Sequence, residues 1–379
     1  MTDEATPSTV GQRIAQLLEH PTSDQKAADI RALLSLSPGV SPQDVIGGDY
    51  PLTPSDLVTL ADWLDVPATV LSGQTPMSHS LGVSLRLGSL SVSGAPTDAL
   101  LYAEKVLGHQ RLLDSWLGVV SKPLQSVSPS QNRYFLRAGE VTAARVRDAL
   151  NLGDEPIGDL VALVESLGFP VVFRSLPAGV QGLNVKDERD GVTYRLIVVS
   201  TEGPWTQQRF TLAHELCHGL YDDDDQVIVD RLEVPDVLPE LRAESFARHF
   251  LMPKAALKRQ VDDARADGRD WSSTVAEFML KWGVSKRAAI RALVADELVG
   301  VEELAEVESA SVASLMNRLD LAADWVELSS QETVEAGSPW LIARAIEAFG
   351  SGYVGVRVVA DLLGRNETET AAELAAQGW

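Results

Sequence analysis

Along this chain the spacing of apolar positions changes twice, dividing it into helical, mixed and again helical stretches. Residues 8–75 read as short helices interrupted by "SLSPGVSP", "GGDYPLTP" and "DVPATVLSG". A Gly/Ser/Pro-rich linker at 88–98 precedes the helical segment "ALLYAEKVLGHQRLLDSWLGVV", and a second linker, "SKPLQSVSPSQN", follows it. From residue 133 the pattern is mixed. "GEVTAARVRDALNL" and "IGDLVALVESLG" have helical spacing, while "FPVVFRSL" and "TYRLIVVST" predict strands around a turn at "KDERDG". The segments "TLAHELCH" and "ELRAESFARHFL" predict two more helices separated by a loop, and beyond residue 260 the chain is helical again. The expected fold is therefore multidomain and mainly α, with a central α+β domain at 133–260. A helical region at 1–75, a linker with connecting helix at 76–132 and a helical region at 261–379 flank it.

Composition narrows this picture. Apolar residues make up 45% and charged residues 23% of 379, ordinary values for a globular protein. No apolar run approaches the ~20 residues that cross a bilayer, and the N-terminus "MTDEATPSTV" lacks the features of a signal peptide. Cys217 is the only cysteine, which excludes an internal disulfide. A cytoplasmic protein without membrane contact is expected. The net charge of −22 disfavours general binding to a phosphate backbone and favours a protein partner or peptide substrate.

The segment "TLAHELCHGLY" places His214 and His218 one helical turn apart, the spacing with which two imidazoles share one zinc ion. Gln207, Thr211, Glu215 and His218 fall within roughly 120° of His214 around the helix, at about 100° per residue. Phe210, Leu212, Ala213, Leu216, Cys217 and Leu220 form a separate apolar arc. In the next helix Ala243, Phe246, Ala247, Phe250 and Leu251 make a core-facing stripe with Glu240 on its edge. A carboxylate there must neutralise, find a cation or bind a metal. His214, His218 and Glu240 are therefore the expected zinc ligands, with the fourth position left for water. Glu244, one turn from Glu240, suits a hydrogen bond to a ligand imidazole, and the two glutamates are open to exchanging these roles. His249 projects to the opposite face and is excluded.

Together, "RFTLAHELCH" and "ELRAESFARHFLMP" resemble the ImmA/IrrE family of metallopeptidases over residues 133–255. The resemblance implies a zincin-like fold, zinc on His214, His218 and a downstream glutamate, and Glu215 as catalytic acid/base. It also implies a protein substrate, an XRE-type repressor or antitoxin. The strand "YRLIVVST" is expected to offer an edge for an extended substrate, and Tyr221 is a weak candidate for an oxyanion donor.

Residues 8–75 resemble an XRE-type helix-turn-helix domain, most clearly in "PSDLVTLADWLDVPATVLSG". From Ala32 to Leu85 the chain has no Lys or Arg, so DNA binding through this region is not expected. A second helix-turn-helix candidate lies at 271–299, where IrrE-like proteins carry such a motif. Its Lys286, Arg287 and Arg291 are candidate nucleic-acid contacts, although an exposed basic face is the commoner meaning. The competing function is a transcription regulator or protein-binding module whose peptidase-like domain is not catalytic.

Overall fold

The computed structural model describes residues 10, 45, 52–63, 72, 82–87, 97–118, 128–176, 180–189, 191–222, 237–330 and 335–379. By its contacts the chain divides into two units: one of residues 1–81 and 93–110, the other of residues 82–92 and 111–379. Most of the helix-turn-helix expectation for residues 8–75, including the segment at 40–50 apart from Val45, lies outside the described residues.

In the first unit, helix α1 (Pro54–Trp63) starts where the sequence "TPSD" dictates. The Asp56 amide donates to the Thr53 hydroxyl and the Thr53 amide to the Asp56 carboxylate, a reciprocal cap. Pro54 sits where its missing N–H costs nothing. Helix α2 (Thr97–Leu117) gives this unit its first turns, with Ala103, Val106 and Leu107 buried, and continues into the second unit from Arg111.

The second unit is built on a four-stranded sheet of order β1-β3-β4-β2. The strands are β1 (Gly82–Leu87), β2 (Val171–Arg174), β3 (Val180–Arg189) and β4 (Val192–Ser200). β4 runs parallel to β2 and antiparallel to β3, and β1 adds antiparallel to the far side of β3. Two outcomes differ from the sequence reading. The segment expected to turn at "KDERDG" is strand as far as Arg189, and the chain reverses at Gly191, whose φ of +76° a glycine tolerates best. β3 escaped hydropathy because its polar residues are used inside: buried Asn184 donates to the Glu215 carbonyl, and buried Asp187 pairs with Arg111 of α2. β4, expected to offer an edge, is central and has both edges paired.

Helices α4 (Leu160–Ser166) and α5 (Trp205–Tyr221) pack on this sheet, and α6 (Val237–Leu251) packs on α5 and on α3 (Phe135–Ala149). The stripe read from the sequence, Ala243, Phe246, Ala247, Phe250 and Leu251, is buried. α3 reaches α6 at Gly139, where an added methyl would lie 2.3 Å from the Arg242 carbonyl. Arg147 then ties the two helices: its guanidinium, buried and held below its usual pKa by desolvation, donates to the carbonyls of Phe250, Gly153 and Glu155.

No core boundary falls at residue 260. Helices α7 (Lys254–Ala266), α8 (Trp271–Trp282) and α9 (Lys286–Ala295) share one apolar cluster with Leu212, Phe246 and Phe250, through Leu257, Phe278, Trp282 and Leu293. α8 and α9 are joined at Gly283–Ser285, where Gly283 takes φ +62° and the Ser285 hydroxyl caps the Ala288 amide. Helices α10 (Val301–Ser309), α11 (Val312–Arg318) and α12 (Ala322–Ser329) extend this layer. The last three helices, α13 (Pro339–Gly350), α14 (Val356–Leu363) and α15 (Glu367–Ala376), are anchored to the sheet side. There Phe173 bridges to Ala336, and the buried Glu165 carboxylate accepts from Ser338 and the Trp340 amide. No described helix is long and apolar enough to cross a membrane.

Candidate metal centre

α5 packs its apolar arc into the core, with Leu212, Ala213, Leu216 and Cys217 buried. That orientation turns Thr211, His214, Glu215 and His218 the other way. The helix ends at Asp222, which takes the left-handed conformation (φ 53°) and donates its amide to the His218 carbonyl. Its carboxylate meets Arg195, which offsets a negative charge at a helix C-terminus.

His214 and His218 bring their Nε2 atoms to 3.1 Å of one another. From the first turn of α6, Glu240 closes the triangle: one oxygen lies 3.0 Å from His214 Nε2 and the other 3.3 Å from His218 Nε2. A tetrahedral ion with bonds of about 2.0–2.1 Å would space its donor atoms about 3.3 Å apart. The observed edges are close to that value. Two imidazoles and a carboxylate are also a donor set suited to zinc, and among the described residues this is the group whose ligand atoms converge within 4.8 Å. Both histidines are buried, whereas the Glu240 side chain keeps 42% of its exposure, so the trio opens to solvent on the glutamate side. Burial alone would raise the Glu240 carboxyl pKa. Hydrogen bonds and charge from His214 and His218 outweigh that and hold it below the usual carboxylate range. The carboxylate is thus in its ligating form.

Glu215 is completely buried and lies against β3. A methyl placed on Gly182 would approach Glu215 Oε1 to 2.8 Å and Thr211 Cγ2 to 2.6 Å. The glycine therefore makes the room in which the Glu215 carboxylate sits, a feature the sequence reading did not use. Asn184 fixes the same turn of α5 through its 2.9 Å bond to the Glu215 carbonyl.

The other sequence candidates are dispersed. Glu244 points to Arg291 of α9 at 3.3 Å and is not part of the ligand triangle. Lys286 spends its ammonium on the carbonyls of Val307, Glu308 and Ala310, closing the C-terminal end of α10. Tyr221 hydrogen-bonds Thr142 at 2.7 Å and reaches the Ser130 and Ala138 carbonyls, beneath the Arg242 guanidinium at 3.7 Å from its ring centroid. It braces α3 against α5 and is not placed as an oxyanion donor. His249 faces away from the trio and sits 3.2 Å from Asp296.

A helix pair bearing His-Glu-x-x-His and a converging glutamate, under a mixed sheet, has a counterpart among known families. Residues 164–294 match the Peptidase_M78 family model, an IrrE N-terminal-like domain. Among curated proteins and solved structures, none matches the chain. The matched stretch covers about a third of the chain and runs from α4 through α9. It includes the sheet strands β2–β4, all three converging ligands and Glu215. The match supports an ImmA/IrrE-type assignment for this stretch and a metallopeptidase class of chemistry. It also extends past residue 260 to take in α8 and α9, in keeping with the continuous core.

Proposed function

We propose that this chain is a zinc-dependent endopeptidase whose substrate is a regulatory protein, an XRE-type repressor or antitoxin. The observation that carries the chemistry is the triangle of His214, His218 and Glu240 beside a buried Glu215. These three side chains would hold the ion. When bound, zinc supplies an acidified water, with a pKa near 7 in well-studied sites, and polarises the scissile carbonyl.

The remaining work falls to the protein. Glu215 Oε1, pressed against Gly182, takes the proton from the attacking water and returns it to the leaving amide nitrogen. Burial of both histidines, which face Glu240 of α6, fixes their rings before substrate arrives and lowers the reorganisation needed during reaction. Exposure on the Glu240 side leaves an approach for the peptide. The identity of the substrate class rests on the family resemblance, and the absence of Lys and Arg from Ala32 to Leu85 favours protein docking over DNA reading in the N-terminal region.

The test compares wild type and Glu215→Gln for zinc content and for cleavage of a co-expressed XRE-type repressor and of pooled peptides. The expected result is one zinc per chain in both proteins and cleavage in wild type alone. Cleavage by the Glu215→Gln variant at the wild-type rate would remove Glu215 from the mechanism. A wild-type chain that takes up no zinc would sink the peptidase reading.

A further inference from the structure

A cleft of about 930 Å³ runs along the faces of α5 and α6 that carry the ligands. The three ligands do not line it, but three of its residues lie near the metal centre along the chain. Phe210 is one helical turn before His214, Glu244 is one turn after Glu240, and Gln181 precedes the Gly182 that touches Glu215. Its opposite wall is α9, which contributes apolar Ile290 and Val294 and the guanidiniums of Arg287 and Arg291. Arg248 of α6 adds a third.

That wall is unusual for this molecule. The chain as a whole carries 54 acidic against 32 basic residues, yet the cleft is lined by three arginines and the two carboxylates Glu244 and Glu308, with Arg248 also 3.7 Å from Asp296. At physiological salt, charges further away than about 8 Å are largely screened, so a bound segment feels the local lining more than the net charge. Arg291 already holds a carboxylate, that of Glu244 at 3.3 Å. Arg287 is exposed, and among the described residues it has no carboxylate partner. One guanidinium thus stands ready for an acidic group, and its neighbour one turn away shows the geometry with which such a group would be held.

We infer that this cleft reads the substrate, and that Arg287 and Arg291 select a peptide carrying an acidic side chain next to apolar ones. The inference rests on the peptidase reading for its purpose, though binding is measurable without it. The apolar floor of Phe210, Ile290 and Val294 takes the neighbouring side chain. On this account the two arginines that in sequence suggest a nucleic-acid contact are specificity determinants for protein.

The experiment uses the full-length, zinc-loaded Glu215→Gln chain and two fluorescein-labelled ten-residue peptide pools, alike except for one position fixed as Glu or as Lys. Fluorescence anisotropy should show tighter binding of the Glu pool, on the order of tenfold. The preference should invert in Arg287→Glu/Arg291→Glu and persist in Arg287→Lys/Arg291→Lys. Because Arg291 contacts Glu244, the single Arg287→Glu variant is measured as well, with thermal melting to confirm its fold; it should lose most of the preference. Equal binding of the two pools, binding of neither, or a preference untouched by Arg287→Glu would each overturn the inference. Cleavage of unlabelled pools by the wild-type chain, read by mass spectrometry, separates the two claims. Glu-selective binding without cleavage would leave the cleft standing and defeat the peptidase reading, whereas cleavage indifferent to charge would do the reverse.

Discussion

At position 182 the chain has no room for a methyl group, because Thr211 and the Glu215 carboxylate fill the space a Cβ would need. Gly182→Ala is therefore expected to push Glu215 off its position. Overpacking of this kind typically costs about 1–3 kcal/mol. Steady-state kinetics should show kcat falling more than KM rises, with zinc content unchanged, since no ligand contacts Gly182. The two glutamates of α6 separate as sharply. Glu240→Ala should lose zinc in elemental analysis, whereas Glu244→Ala should keep it and lose only the Arg291 contact. The pairing of His214 with His218 could be read from the sequence because helical period alone brings both to one face of α5. The choice between Glu240 and Glu244 could not, since it depends on Arg291, a residue 47 positions away that draws Glu244 aside. For the same reason the space at Gly182 left no mark: a close approach between a strand and a helix has no local signature.

At the scale of elements, the α3–α6 crossing is packed most closely, and the α6–α9 junction is held by a buried ionic cluster. A methyl at Gly139 would meet backbone, the Arg242 carbonyl at 2.3 Å and the Phe246 amide at 2.8 Å, and backbone cannot rotate away. Gly139→Ala should therefore be at least as destabilising as Gly182→Ala, about 1–3 kcal/mol or more in urea unfolding, and should loosen Glu240 with α6. At the other junction, Asp296 at the end of α9 faces His249 at 3.2 Å and Arg248 at 3.7 Å of α6, with Lys254 at 4.0 Å. Burial would raise the Asp296 carboxyl, but the His249 hydrogen bond and these cations hold it below its ordinary value. A carboxyl depressed in the folded state stabilises the fold above its unfolded pKa and loses that contribution as pH falls through the folded value. Stability should thus decline below about pH 5 as protons bind. Asp296→Asn should flatten that part of the curve in urea titrations taken at successive pH values. The helices were legible from their apolar stripes, and β2 and β4 from their β-branched runs. β1 and β3 were not, because their stability comes from each other and, in β3, from polar side chains whose partners lie on α2 and α5.

For the molecule as a whole, the four regions read from composition become two units that interleave in sequence. Linkers rich in Gly, Ser and Pro suggested simple boundaries, but contact does not follow them. The chain enters the second unit at residue 82, returns to the first at 93 and enters the second again at 111. A truncation beginning at Arg111 would discard β1 and leave the outer edge of β3 unpaired. Exposed strand edges template association, so the truncated protein is expected to aggregate with rising concentration in light scattering where the full chain stays dispersed.

That single six-residue strand also limits how such a chain could be recombined. A module joined end to end can be exchanged by one splice, but here the two units alternate along the sequence, and a graft must respect three junctions at once. Chimeras that swap residues 1–81 and keep 82–92 in place are the ones with an intact sheet. An exchange made at the more obvious linker, after residue 120, would carry the sheet's border away with the part that was meant to be replaced.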